Sequence, residues 1–267
     1  MSLTFSLNKF ELVSFAKMIE GLHCFIDHAS LEIQPDRLTL GNFNSTHTII
    51  AIASIQRDFF HQYQINETLD ADLGIDLDVL AKAMKNANKI QSSDFYLTNE
   101  TLKIALNGAN ARQKSYFQLD LTMSNDNTPN LYQSYCDNLE DYHCHLKIET
   151  TNFREILASL KVCQTPEITL EYQTGLLIFQ GDTTRIEYQV NNINQLVQTN
   201  DSDYPATAEE KISLQLGTDQ LLSLHKATQL SNVVDIWMKS KHHPIYFSFT
   251  INAPETNELV IGLSPRD

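Results

Sequence analysis

No apolar run in these 267 residues approaches the roughly 18 consecutive residues that a membrane-spanning helix needs. The opening segment, MSLTFSLNKFELVSF, also has no basic region followed by a purely apolar one. Membrane insertion and secretion are therefore not expected. Cysteine is scarce: Cys24, Cys136, Cys144 and Cys163 are the only four, and none forms a CxxC spacing. That pattern predicts reduced thiols in an intracellular compartment, not a disulfide framework. Glycine and proline number only 8 and 7, which excludes a fibrous or low-complexity chain. Cations are scarce as well, with 19 Lys and Arg against 33 Asp and Glu, a formal net charge of −14. Such acidity argues against a nucleic-acid partner on average, because phosphate binding runs on Lys and Arg. It does not exclude one whose basic residues are gathered on a single surface.

Signatures of catalysis are missing too. There is no Gly-rich phosphate cradle, no GxSxG, no HExxH and no Ser/His/Asp order in a strand-to-helix context. His143-Cys144-His145 puts two imidazoles on one face of a strand, but no nearby ligand completes a set of three or four. His242-His243 lies in a turn and reads as solvated. No catalytic residue, metal site or cofactor is expected.

What the chain does have is apolar content, 42% of its residues, enough for two cores in domains of about 130 residues each. Helical spacing runs over Phe10–Phe25, Asp76–Asn86, Asn152–Lys161 and Asp219–Ala227, with short alternating segments between them that read as strands. Leu77, Leu80, Ala81 and Met84 are the expected buried face of the second helix. The segment 121–141, rich in Asn, Asp and Ser, sustains no period and reads as a linker between domains at 1–120 and 142–267. An acidic loop is expected around Gln198–Lys211. The two halves repeat one plan, strand–helix–strands–helix–strands. Ile75, Leu80 and Lys85 recur at the spacing of Leu216, Leu221 and Lys226. A duplicated α+β fold follows, with helices on one face of antiparallel sheet.

Four segments in order carry a resemblance to a known family: ASLEIQPDRLTLGNFNSTHTIIAIASI (Ala29–Ile55), LGIDLDVLAKAMKNAN (Leu73–Asn88), YHCHLKIETTNFREILASL (Tyr142–Leu160), and LLSLHKATQLSNVVDIWM (Leu221–Met238) with the terminal IGLSPRD. The chain resembles the DNA sliding clamp, proliferating cell nuclear antigen. The resemblance implies two duplicated clamp domains, with antiparallel sheets outside and helices lining a ring. It also implies a non-enzymatic processivity factor that encircles duplex DNA and tethers replication and repair proteins. The expected partners are double-stranded DNA, read without sequence preference, DNA polymerase, the clamp loader and other proteins with clamp-binding peptides. Subunits would join through the edges Ser115–Leu121 and Arg185–Val190, as a homotrimer or as a specialised or checkpoint-type subunit of a hetero-trimer. The implied location is the nucleus in a eukaryote, and otherwise the cytoplasm or a viral replication site.

A clamp that slides needs phosphate contacts without base-edge contacts. Lys17, Lys82, Lys85, Arg112 and Lys226 match basic positions of the family. By helix geometry Arg154 and Lys161, seven residues apart, join them as DNA-facing candidates. The family's client peptides, which carry a glutamine, an aliphatic residue and two aromatics, would dock on Phe43, His47, Ile50, Pro244 and Pro265, with Leu131 and Tyr132 of the linker, pairing their backbone along the linker and C-terminal tail. Departures stand at Glu155, Ala158 and Asp219, where the family is basic, and at Gly262, where it commonly has tyrosine.

Overall fold

The computed structural model describes residues 2–65, 73–98, 100–108, 113–123, 131–142, 144–162, 165–173, 175–190, 211–251 and 257–266. The chain divides into two compact units, residues 1–134 with 250–259 and residues 135–249 with 260–267.

The first unit begins with β1 (Ser2–Asn8) and α1 (Lys9–His23). In α1, Leu12, Phe15, Ala16, Met18, Ile19 and Leu22 recur every three or four residues and are buried, which is what makes the segment a surface helix with one inward stripe. Strands β2 (His28–Ile33), β3 (Arg37–Phe43), β4 (Ile49–Gln56), β5 (Gln62–Ile65) and β6 (Leu73–Asp76) lead to α2 (Leu77–Met84). Asp76 caps that helix by accepting the Val79 amide at 3.1 Å. Strands β7 (Ile90–Thr98), β8 (Thr101–Gly108), β9 (Lys114–Asp120) and the short β10 (Thr122–Met123) complete the unit. One sheet runs β5-β1-β7-β8-β9, and a second set of strands is ordered β10-β6-β2-β3-β4, antiparallel throughout. Helices α1 and α2 pack on each other, and α1 covers β1 and β7. Its Phe15 meets Phe95 edge-on at 5.6 Å, and Phe95 stacks on Phe5 at 4.4 Å.

Next come α3 (Leu131–Leu139), which straddles the division, then β11 (Cys144–Glu149), α4 (Thr150–Val162), β12 (Glu167–Gln173), β13 (Leu176–Gln180), β14 (Arg185–Gln189), β15 (Ile212–Gly217), α5 (Thr218–Ala227), β16 (Val233–Met238), β17 (Ile245–Thr250) and β18 (Glu258–Leu263). In the second unit one sheet is ordered β14-β13-β12-β15, while β17, β16 and β11 pair in sequence. The repeat is topological. β6-β2-β3-β4 corresponds to β15-β12-β13-β14, and β1-β7-β8 to β11-β16-β17. The residue correspondence holds in place: Ile75 and Leu216 are buried on β6 and β15, Leu80 and Leu221 are buried on α2 and α5, and Lys85 and Lys226 are exposed.

Several expectations need correction. Residues 121–141 are not patternless, since they hold β10 and α3. Tyr132, Tyr135, Cys136 and Leu139 recur at helical spacing there, beneath a composition that reads as loop. On α2 the buried set is Leu77, Leu80, Ala83 and Met84, and Ala81 is half-exposed. Strand β5 was not legible in the sequence, because Gln62 and Gln64 leave only Tyr63 buried. The acidic stretch from 198 to 210 lies outside the described residues. Phe95 is fully buried between two other rings. Phe95→Ala should therefore lower the unfolding free energy by ~3–5 kcal/mol in a urea titration, whereas Tyr96→Ala, on the open face, should stay within about 0.5 kcal/mol.

Candidate nucleic-acid interface and partner surface

The polar faces of the helices carry part of this acidic chain's cations. Within their bounds, α1, α2, α4 and α5 carry six cations (Lys9, Lys17, Lys82, Arg154, Lys161, Lys226) against five carboxylates (Glu11, Glu20, Asp78, Glu155, Asp219), a sum of +1 in a protein of −14. Lys82, Lys85, Lys161 and Lys226 are exposed, and Lys17 is half-buried. Arg112 lies outside the described residues.

These cations are not equivalent. Lys82 is one helical turn from Asp78 and bonds it at 2.5 Å. The contact holds the Asp78 carboxyl below its ordinary range and the Lys82 ammonium above its own. Both side chains are solvated, so the pair holds Lys82 only weakly. Arg154 is committed elsewhere. Its Nε donates to Thr228 Oγ1 at 2.8 Å and its Nη2 to the Thr228 carbonyl, tying α4 to the C-terminal end of α5. The guanidinium thus serves a helix C-terminus, where a cation is favoured by the helix dipole. Lys161, on the same helix, is exposed. Glu155, Ala158 and Asp219 are exposed, so the three departures from the family's basic pattern stand on the open surface.

On the first unit, Phe43, His47 and Ile50 come together at the β3–β4 hairpin. Phe43 and Ile50 are cross-strand partners, and the Phe43 and His47 rings lie 5.6 Å apart. Asn44 builds the turn, because its side-chain oxygen accepts the amides of Thr48 at 2.9 Å and Ile49 at 3.0 Å. His47 takes a left-handed φ of 54° and donates its amide to the Asn44 carbonyl. Phe43 and Ile50 are half-buried, so they offer apolar surface at the tip.

Tyr132 is not part of that tip. Its hydroxyl donates to Glu258 at 2.6 Å, and the Arg37 guanidinium lies 5.1 Å from its ring centre. Arg37 is six residues along β3 from Phe43, about 20 Å at strand rise. Leu131 is half-buried at the start of α3. Pro244 and Pro265 belong to the second unit. The Pro244 carbonyl accepts the Tyr142 hydroxyl at 2.6 Å. Pro265 precedes Arg266, whose amide donates to the Gln215 carbonyl at 2.8 Å and whose guanidinium meets Glu167 at 2.9 Å across Gly217. Sequence reasoning missed both the Arg266 anchor and the aromatic contacts of α3. Gly262 is buried in β18.

Among the described residues β9 and β14 are two of the six strands that end a sheet: β9 is paired only with β8, and β14 only with β13. On β9, Tyr116 is 71% and Phe117 38% exposed, an unusual outlay of aromatic surface for a sheet edge.

His145, from the histidine pair noted above, bonds Asp235 at 2.6 Å and stacks on Trp237 at 3.7 Å, while His143 lies outside the described residues. Cys144, on the opposite face, is buried, which pushes its thiol up to about 12 and leaves no thiolate at neutral pH. Among the described residues no three His, Cys, Asp or Glu side chains are grouped to hold a metal.

Residues 7–128 match the family described as proliferating cell nuclear antigen, N-terminal domain. A crystal structure of the PCNA2-PCNA3 complex from Sulfolobus tokodaii shares the fold, with a TM-score of 0.74 at 17% identity over 98% of this chain and 99% of that one. None of the curated proteins matches by sequence.

The Arg154 contacts make a separable prediction. Arg154→Ala should cost about 1.5–3 kcal/mol of stability through its lost charged hydrogen bonds. Lys161→Ala should leave the unfolding midpoint unchanged.

Proposed function

We propose, from the match of residues 7–128 to the N-terminal domain of the proliferating cell nuclear antigen family, that the chain is one subunit of a heteromeric DNA sliding clamp. It is a non-catalytic processivity factor. The observation that carries this reading is the exposed aromatic edge of β9, with Tyr116 and Phe117, in one unit and the open edge of β14 in the other. Pairing β9 of one subunit with β14 of the next satisfies both rows of backbone groups and covers Phe117, and repeating the step closes a ring. The polar faces of α1, α2, α4 and α5 then meet duplex DNA, with Lys82, Lys85, Lys161 and Lys226 reaching phosphates and no base edge being read.

Charge favours a mixed ring over three identical chains. Three copies of a helical surface of +1 give +3, little for a channel that must hold a polyanion while the protein as a whole carries −14 per chain. A more basic sister subunit supplies what Glu155, Asp219 and the committed Arg154 withhold. The Sulfolobus structure is itself a complex of two different clamp chains. DNA polymerase, the clamp loader and other clients dock by short segments with apolar anchors, for which the Phe43–His47–Ile50 tip offers one surface.

Reversing Lys82, Lys85 and Lys226 to Glu in the assembled ring tests the channel. Processivity should fall, and the slope of log affinity against log salt should become shallower by about one per lysine removed, with ring assembly intact by solution mass. Unchanged processivity and slope would remove these helices from the DNA path.

A further inference from the structure

Strand β15 ends its sheet, and its open side is crossed by the segment that follows β18. On its other side β12 pairs with it from Tyr172–Ile212 to Glu167–Gly217. In an antiparallel edge strand alternate residues point their N–H and C=O outward. Gln215 is one of these, because its carbonyl accepts the Arg266 amide at 2.8 Å. The Arg266 guanidinium lies over Gly217 and donates to the Glu167 carboxylate of β12 at 2.9 Å. One residue thus takes an outward carbonyl, covers the end of the strand and pairs with a charge on the strand behind it.

The first unit meets the same need by a different device. There β6, the counterpart of β15, is covered by β10, with Thr122 opposite Gly74 and Met123 opposite Leu73. A Cβ added at Gly74 would stand 2.7 Å from the Thr122 Oγ1, and one added at Gly217 would stand 2.8 Å from the Arg266 Nη2. Each strand therefore carries glycine where its cover crosses. Gly217 has a φ of −67°, open to any residue, so the glycine serves space and not backbone conformation. That choice forgoes a helix cap. At the offset that matches Ile75 to Leu216, Gly217 stands where the first unit has Asp76, which caps α2 through the Val79 amide, whereas α5 starts with no side-chain cap.

We propose that Pro265 and Arg266 form a strap that closes the β15 edge to a second copy of this chain. Sheet edges are blunted by a charged side chain or by a covering loop where pairing is unwanted, and Arg266 supplies both. The copy excluded is one whose own β15 presents the same outward row, since two such edges pair antiparallel about a two-fold axis. The strap does not depend on the clamp reading. Within that reading it removes β15 from competition with β9 and β14.

The test follows solution mass against concentration for the full chain carrying Phe117→Arg, a background that takes the β9 edge out of play. Adding Arg266→Pro removes both the amide donor and the guanidinium. A two-copy species should then form at a concentration about tenfold lower than in the background. Adding Arg266→Lys, which keeps the amide and the charge, should leave the background unchanged. An Arg266→Pro protein with native circular dichroism and unaltered mass overturns the proposal, as does equal association by all three proteins. If Arg266→Pro does not fold, Gly217→Ala decides, because its methyl pushes the guanidinium off Glu167 while the backbone keeps its path. Exchange of the Arg266 amide should quicken about fivefold, and unchanged exchange overturns the strap. A ring that fails to form with sister chains would remove the clamp reading and leave these outcomes as they stand.

Discussion

Unpaired backbone at the sheet edges, β9 and β14 among them, is the constraint on which the proposed assembly turns. A buried amide or carbonyl without a partner costs free energy comparable to a lost hydrogen bond, and an exposed edge is a template for another chain. Proteins usually blunt such edges with charge or proline. On β9 the sequence KSYFQLD places Tyr116 and Phe117 at the centre and confines charge to the ends. On β14, RIEYQ pairs Arg185 with Glu187 within the strand at 2.6 Å, leaving Ile186 and Tyr188 between and beyond them. In the proposed assembly each of these edges covers the other, and a heterologous pairing of that kind propagates around a closed ring.

Duplication gives each unit the same second demand. An antiparallel sheet buries one face under a helix pair, α1 with α2 and α4 with α5, and the opposite face of each helix is left for water or for DNA. Six of the 19 Lys and Arg stand on those helices. Lys82 is shared with Asp78, Arg154 is spent on Thr228, and Glu155 and Asp219 face outward. Weak, replaceable contacts suit sliding, whereas a sum near zero leaves a ring of identical subunits with little grip. The same sequence features therefore support the clamp and argue against its simplest stoichiometry.

Much of the fold was legible because its signals are local. The buried stripe of α1, the Phe153–Ile156–Leu157–Leu160 face of α4 and the alternation in β7 and β16 each follow from spacing alone. The tract Asn44–His47 entered only through the family resemblance, and the structure adds its turn bonds and left-handed backbone. What escaped were features set by tertiary partners. Helix α3 has weak intrinsic propensity and depends on Tyr135 finding Tyr246. The separation of Tyr132 from Phe43 depends on Arg37 and Glu258, and Arg154 could not be assigned to Thr228 from a helical wheel that only showed it facing away from Phe153.

Solution mass is the most direct test of the central claim. Native mass spectrometry of the purified chain, alone and mixed with sister clamp chains from the same source, should show a three-subunit ring only in the mixture, and Phe117→Arg on β9 should abolish it. A stable three-copy ring of this chain alone would contradict the heteromeric assembly. A chain that stays monomeric in every mixture, or a ring indifferent to Phe117→Arg, would contradict closure through these edges.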